Sequence, residues 1–393
     1  MKKNIHLLLC SFILYTMFSC NTSPAPSAEN PQTDSTTSSQ PTWALLPFVK
    51  TDSANPILTP GTGSFYCPVR KANVLWEEKD VFNPAVAVRN DSLFLLYRAQ
   101  DKVGKPAGTS RIGLAVSTDG IHFTRMPKPV LYPDNDAYKK YEWEGGCEDP
   151  RLVEDSAGTY YMTYTAFDGK NARLLVATSK DLTHWVKYGP VFAKAFGGKY
   201  MDAWSKSGSI VSTYNNGKIV ATKINGKYWM YWGDKYIWAA TSDDLISWQP
   251  VEKDATDTAK SDMPFYGADI HLLKPVIKPR NGKFDSDLAE SGPPAMLTPN
   301  GIVLLYNGRN IPAIGDKQLG EGAYASGQVL LDKNNPTKII DRLQNNFLKP
   351  DKPYEFTGQV NQVCFIEGLA QFKNKWWLYY GTADSKIAVA VKE

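Results

Sequence analysis

No long stretch of this chain carries a helical period; apolar residues come instead in short runs separated by turn residues. Five runs end in a tyrosine: Leu93-Phe94-Leu95-Leu96-Tyr97, Tyr160-Tyr161-Met162-Thr163-Tyr164, Tyr228-Trp229-Met230-Tyr231, Ile302-Val303-Leu304-Leu305-Tyr306 and Trp376-Trp377-Leu378-Tyr379-Tyr380. Most follow a turn signal, such as Asn90-Asp91 or Asn300-Gly301. A second short apolar strand follows each, over 112–117, 174–179, 237–242, 325–331 and 387–391, and another precedes each, over 83–88, 149–153, 208–211, 293–297 and 368–372. The first three copies continue into Ser-x-Asp turns, at Asp119, Asp181 and Asp244, each followed by an aromatic residue. This repeat predicts an all-β chain, a five-bladed β-propeller with antiparallel blades around a central channel. The last copy ends after two hairpin strands, so the closing blade needs a strand from the region 43–76.

The first residues form a different pattern. Lys2 and Lys3 precede an apolar run that ends at Met17-Phe18-Ser19-Cys20, a loose match to a bacterial lipobox. Residues 1–19 therefore read as a lipoprotein-type signal peptide, with Cys20 as the lipid anchor, since the run is short for a bilayer span. Residues 20–42, rich in Ser, Thr and Pro, read as a flexible tether to a catalytic domain over 43–393. The expected location is the bacterial cell envelope, on the periplasmic side of the outer membrane, with the membrane a partner through the lipid.

Composition narrows the partners. The 393 residues hold 44 basic and 40 acidic side chains, a net charge of +4 with no Lys/Arg cluster, so no nucleic-acid partner is expected. Of five cysteines, Cys67, Cys147 and Cys364 lie beyond Cys20 at wide spacing and read as three buried free thiols. His6 lies in the leader, and His122 and His184 sit in the repeated turns, which leaves His271. A histidine metal centre or triad is not expected, and no cofactor is.

The candidate chemistry lies where the first strand of each copy begins. Asn83, Glu148-Asp149, Lys206-Ser207, Glu290 and Glu367 would converge on the channel from five directions. A second polar ring, four residues past each tyrosine, holds Asp101, Asp168, Lys235, Asn310 and Asp384, with Asp234 one place earlier. Asp119, Asp181 and Asp244 recur with the fold and read as turn residues. Asp149 and Glu290 instead sit in proline-containing motifs, and a rigid proline fixes a carboxylate's direction. Converging carboxylates with many Trp and Tyr residues suit glycoside cleavage, in which one carboxyl protonates the leaving oxygen and another activates water or attacks C1.

The motifs Phe82-Asn83-Pro84-Ala85, Leu96-Tyr97-Arg98, Cys147-Glu148-Asp149-Pro150-Arg151, Glu290-Ser291-Gly292-Pro293-Pro294-Ala295, Leu305-Tyr306-Asn307-Gly308 and Tyr380-Gly381-Thr382-Ala383-Asp384 together resemble glycoside hydrolase family 130, in order from about residue 75 to the end. The resemblance implies inverting action on a β-mannoside oligosaccharide, most simply β-1,2-linked. It implies Asp149 as acid, and Glu290 or Asp234 as the group that activates water. Asn83, Arg98, Asp101, Arg151, Glu367 and Asp384 are then candidate sugar contacts. Burial or the neighbouring Glu148 should raise the acid's pKa, and an inverting pair should lie roughly 6.5–9.5 Å apart. Phosphorylases of the family present Arg after the third-blade strand; here Lys227-Tyr228-Trp229-Met230-Tyr231-Trp232-Gly233 has none, which favours hydrolysis. The alternatives are a β-mannoside phosphorylase and a non-catalytic glycan-binding lipoprotein. An arabinanase-type propeller would begin its first inner strand with Asp, where this chain has Asn83. The long polar stretch between Trp248 and Ile277 reads as a loop at the substrate mouth.

Overall fold

The structure, a computed structural model, describes residues 40–215, 217–254 and 270–393. The signal peptide, Cys20, most of the tether and the segment 255–269 of the polar stretch lie outside the described residues. What is described is all-β, with helix confined to single turns such as Lys139–Glu142 and Pro353–Phe356.

One up-and-down order recurs along the chain. The first run pairs Asp80–Arg89, Ser92–Gln100, Ser110–Ser117 and Thr124–Arg125, and the second pairs Gly146–Glu154, Tyr160–Phe167, Ala172–Ser179 and Val186–Pro190. The third is Ser209–Ile210, Lys227–Trp232, Ile237–Ser242 and Trp248–Pro250, with Pro275–Ile277 on its edge. In the fourth, Gly301–Arg309 pairs with Leu288–Ser291 and Met296–Thr298 on one side, then Tyr324–Leu331 and Ile339–Arg342 follow. The predicted first strand at 293–297 is thus two pieces, because Pro293 and Pro294 have no N–H to give a ladder. The last run is Cys364–Phe372, Lys375–Thr382 and Lys386–Lys392, completed by Val49–Lys50 from the other end of the chain. The expected N-terminal closing strand is therefore present, as Val49 paired with Val391.

The apolar core lies between these runs. One cluster joins the second and third runs through Leu174, Trp232 and Trp238, and another joins the third and fourth through Tyr231 and Leu304. A further cluster packs Tyr97 and Leu95 of the first run against Trp377 and Tyr379 of the last. Each such large side chain, once buried, contributes on the order of 1.5–3 kcal/mol.

The tyrosines that mark the repeat have a polar reason to be there. Tyr164 Oη donates to Glu142 at 2.8 Å, and Glu142 is paired with Lys187 at 2.6 Å. Tyr97 donates to Glu77, which holds Arg125, and Tyr306 donates to Asp285, which holds Arg342 and Arg280. Tyr380 donates to Glu355, which holds Lys50. In the third run Tyr231 instead donates to the Pro336 carbonyl. The Ser-x-Asp turns are local as expected: Asp119, Asp181 and Asp244 each accept backbone N–H groups two and three residues on. Cys67, Cys147 and Cys364 are buried free thiols.

Candidate active site

Polar residues reach one cavity because the first strands are bulged where they begin. Register shifts fall at Phe82/Pro84, Glu148/Arg151 and Ile366/Gly368, so Asn83, Asp149 and Glu367 stand at equivalent breaks in the ladder. Asn83 and Asp149 both have φ 48°, and Ser207 has φ 61°, left-handed conformations that cost an L-residue roughly 1–2 kcal/mol. A bulge of this kind re-aims a side chain out of the sheet's alternation.

A cavity of about 230 Å3 is lined by Asn83, Arg98, Asp149, Lys206, Glu290 and Asp384, with Arg309, Tyr324, Phe365 and the valines 360 and 363 on its outer wall. Asp149 Oδ1 accepts from Asn83 Nδ2 at 3.0 Å and from Arg98 Nη1 at 3.1 Å, and Lys206 Nζ stands 3.9 Å from Oδ2. Arg98 also donates to Glu148 at 2.7 Å and to Ser110 at 3.0 Å. Glu290 accepts from the Ser207 hydroxyl. Asn83 Oδ1 is buried against Gly381 without a hydrogen-bond partner.

The protonation of this cluster departs from expectation. Burial alone would raise the Asp149 carboxyl, but Arg98, Lys206 and Arg151, with the Asn83 amide, together hold it down at about 2. Burial pushes Glu290 up to about 7, because Lys206 offsets only part of the desolvation and Asp234 opposes it. Asp384 is likewise raised by burial to about 7, against the pull of Arg98. Asp149 is thus the lowered carboxyl of the cluster, while burial raises Glu290, Asp384 and Glu148.

Five further candidates lie outside the cavity lining. Asp101 is fully buried in its own loop, where its carboxylate accepts from the Gly104 and Thr109 N–H groups and pairs with Arg111 at 2.7 Å; it has no face on the cavity. Arg151 turns away from the cavity and donates to the backbone carbonyls of Gly292 at 3.0 Å and Ser291 at 2.7 Å. Glu367 lies fully buried behind it, ion-paired to Arg151 at 2.9 Å. Asp234 is outside the cavity lining, with Trp204 Nε1 donating to its Oδ2 at 2.9 Å. Asp168 caps its own turn and pairs with Arg173 at 2.8 Å. Arg309 and Tyr324 were not among the expected site residues, and Lys206 and Ser207 were expected to face the channel without an assigned role. Lys206 and Ser207 carried a signal, since they begin the third first strand as Asp149 begins the second.

An all-β chain with carboxylates from successive sheets converging on one polar cavity has the make-up of a carbohydrate-active enzyme. The chain belongs to glycoside hydrolase family 130: the family model, described as beta-1,4-mannooligosaccharide phosphorylase, matches residues 50–393. It is therefore placed among enzymes acting on β-mannosides. A 1,2-beta-oligomannan phosphorylase from Thermoanaerobacter sp. (strain X514) is 33% identical over 333 residues, covering 82% of this chain and 93% of that one. A solved glycosyl hydrolase from Bacteroides ovatus is 49% identical with a TM-score of 0.83, covering 90% of this chain and 95% of its own. A third protein, 47% identical with a TM-score of 0.84 over 90% of this chain and 96% of its own, is described as showing that this family of mannoside phosphorylases contains glycoside hydrolases that target beta-1,2 mannosidic linkages in Candida mannan.

Proposed function

We propose that this chain is an exported β-mannoside hydrolase, specific for β-1,2 links, that works by single displacement with inversion. The observation that carries the reading is the burial of Asp149 and Glu290, from the second and fourth runs, on one small cavity with Lys206 beside both. In this reading Asp149 protonates the leaving oxygen and Glu290 activates water. Glu290 is preferred to Asp234 because it lines the cavity while Asp234 is engaged by Trp204. Asn83, Arg98 and Asp384 hold the sugar. The repeated runs, with the first packed against the last, support a five-bladed β-propeller as the scaffold. We assign residues 1–19 to a signal peptide, 20–42 to a tether and 43–393 to the catalytic domain, with Cys20 lipidated and the enzyme on the periplasmic side of the outer membrane.

Hydrolysis is favoured over phosphorolysis by charge. A phosphate dianion would enter a cavity whose carboxylates Asp149 and Glu290, with Glu148 and Asp234 beyond the lining, already occupy Lys206, while Asp287 holds Arg309. The phosphorylase reading draws support from these same two cations and from the relative just named. The deciding experiment is product analysis on β-1,2-mannobiose with and without inorganic phosphate. Free mannose at equal rates in both supports the hydrolase. Mannose 1-phosphate formed only with phosphate overturns it.

The low Asp149 and raised Glu290 favour a second reading of the roles, with Glu290 as acid and Asp149 as base. Both assignments use the same singly protonated pair, so a pH profile does not separate them. A substrate with an activated aryl leaving group does, because it restores turnover only to the variant that lacks the acid.

A further inference from the structure

Glu290 is paired with Asn307 in the Leu288–Ser291 strand, and the break that follows, up to Met296–Thr298, is tied to neighbouring backbone through the Gly292 and Ala295 N–H groups, while Pro293 and Pro294 donate nothing. Its carbonyls are captured by side chains from neighbouring runs. Ser209 Oγ donates to Pro293 O at 2.6 Å and Tyr214 Oη to Pro294 O at 3.1 Å. Arg151 takes the two carbonyls nearest Glu290, at Ser291 and Gly292, while its Nη1 returns to the Asp149 carbonyl at 3.1 Å. One planar fork therefore touches the backbone of both carboxylate-bearing segments. A guanidinium presents its donors as a fixed planar fork that spans successive carbonyls; an ammonium on a flexible stem does not reproduce that fork. Glu367 Oε1 stands 2.9 Å from Arg151 Nη1, with burial raising its carboxyl well above the usual range against the pull of Arg151. At Gly292 a Cβ would meet Leu305 O at 2.7 Å, so the segment has no slack toward the sheet behind it.

Resting on the acid–base reading of Asp149 and Glu290, we propose that Arg151 is a positioning residue: it ties the Asp149 segment to the Glu290 segment and so sets the spacing of the two carboxyls across the cavity. It does this from behind the site, without touching the sugar, and Glu367 keeps it in place.

The test is a double-mutant cycle of Arg151→Lys with Glu290→Gln on the full chain, with melting curves for each variant. Arg151→Lys is expected to lower kcat by on the order of 100-fold, the cost of misplacing a reacting group by about 1 Å, and to leave KM unchanged. Added to Glu290→Gln it should cost little more, because the group it positions is already gone. A raised KM with unchanged kcat would make Arg151 a sugar contact, and losses that simply multiply would make it a general structural residue; either overturns the proposal. Should Arg151→Lys fail to fold, Glu367→Gln carries the same test, with a smaller kcat loss and unchanged KM expected. Backbone hydrogen exchange over 288–297 needs no substrate: faster exchange in these variants supports the tie, and unchanged exchange overturns it. An enzyme that proves to be a phosphorylase would defeat the hydrolase reading alone, and the same cycle would then be run on phosphorolysis.

Discussion

Two sets of buried carboxylates sit a few strands apart and are treated in opposite ways. Glu142, between the first and second runs, receives the Tyr164 hydroxyl and the Lys187 ammonium, and both of its oxygens are spoken for. Its carboxyl is still raised by burial, with Lys187 pulling the other way. Glu290 has one hydroxyl, from Ser207, and shares Lys206 with several other acids. The Glu142 arrangement recurs at Glu77, Asp285 and Glu355, each with its tyrosine and its cation. The cavity set has no such repetition. A carboxylate that holds a fold together is saturated by its neighbours; one that meets a substrate is left with capacity to spare.

The widest separation between the two sets should come from neutralising each. Asp149→Asn and Glu290→Gln are expected to lower kcat on β-1,2-mannobiose by roughly 100- to 10,000-fold, with melting temperatures close to wild type. An activated aryl mannoside identifies the acid among them. Glu142→Gln should do the reverse, keeping kcat in the folded protein but leaving the buried Lys187 with Asp136, at 3.1 Å and partly exposed, as its carboxylate partner. Denaturant unfolding should then show a loss of about 1–3 kcal/mol. A large activity loss in folded Glu142→Gln would erase the distinction.

The pH profile sharpens it further. The working pair holds one proton, and with Glu290 raised to about 7 that proton leaves as pH climbs through this value. So kcat/KM should fall about tenfold per unit above pH 7, whichever carboxyl is the acid. Lys206→Met should move the limb upward, because Lys206 is what lowers Glu290. Smallest of all, Tyr164→Phe should cost about 1 kcal/mol in unfolding measurements and leave the limb where it was.

Much of this was legible in the sequence, for a physical reason. A repeat imposes the same pairing and the same tyrosine at each copy, so the strands around Tyr97, Tyr164 and Tyr306 could be read directly. Asp149 and Glu290 stood out because they interrupt that repetition. Arg151 was misread because its motif gives its identity but not its direction; the bulge at Glu148/Arg151 turns it to the Ser291 and Gly292 carbonyls. Asp101 was misread because its partners, Gly104, Thr109 and Arg111, are close in sequence and look like any loop. Arg309 and Tyr324 escaped notice because they reach the cavity from the far ends of paired strands, where only the register Arg309 to Tyr324 brings them together.

The pairing of Val49 and Lys50 with Val391 and Ala390 also constrains how such a chain is made. Synthesis proceeds from the N-terminus, so Val49 waits for a partner that emerges more than three hundred residues later. Until then Lys375–Thr382 has an open edge and the first run lacks the packing of Trp377 and Tyr379. Late intermediates are thus exposed to wrong pairing, which is the hazard of an unprotected strand edge. A nonsense mutation within the Lys386–Lys392 strand would therefore do more than fray an end: it would leave both Val49–Lys50 and Lys375–Thr382 without their partner strand and send nearly complete chains to chaperones and proteases.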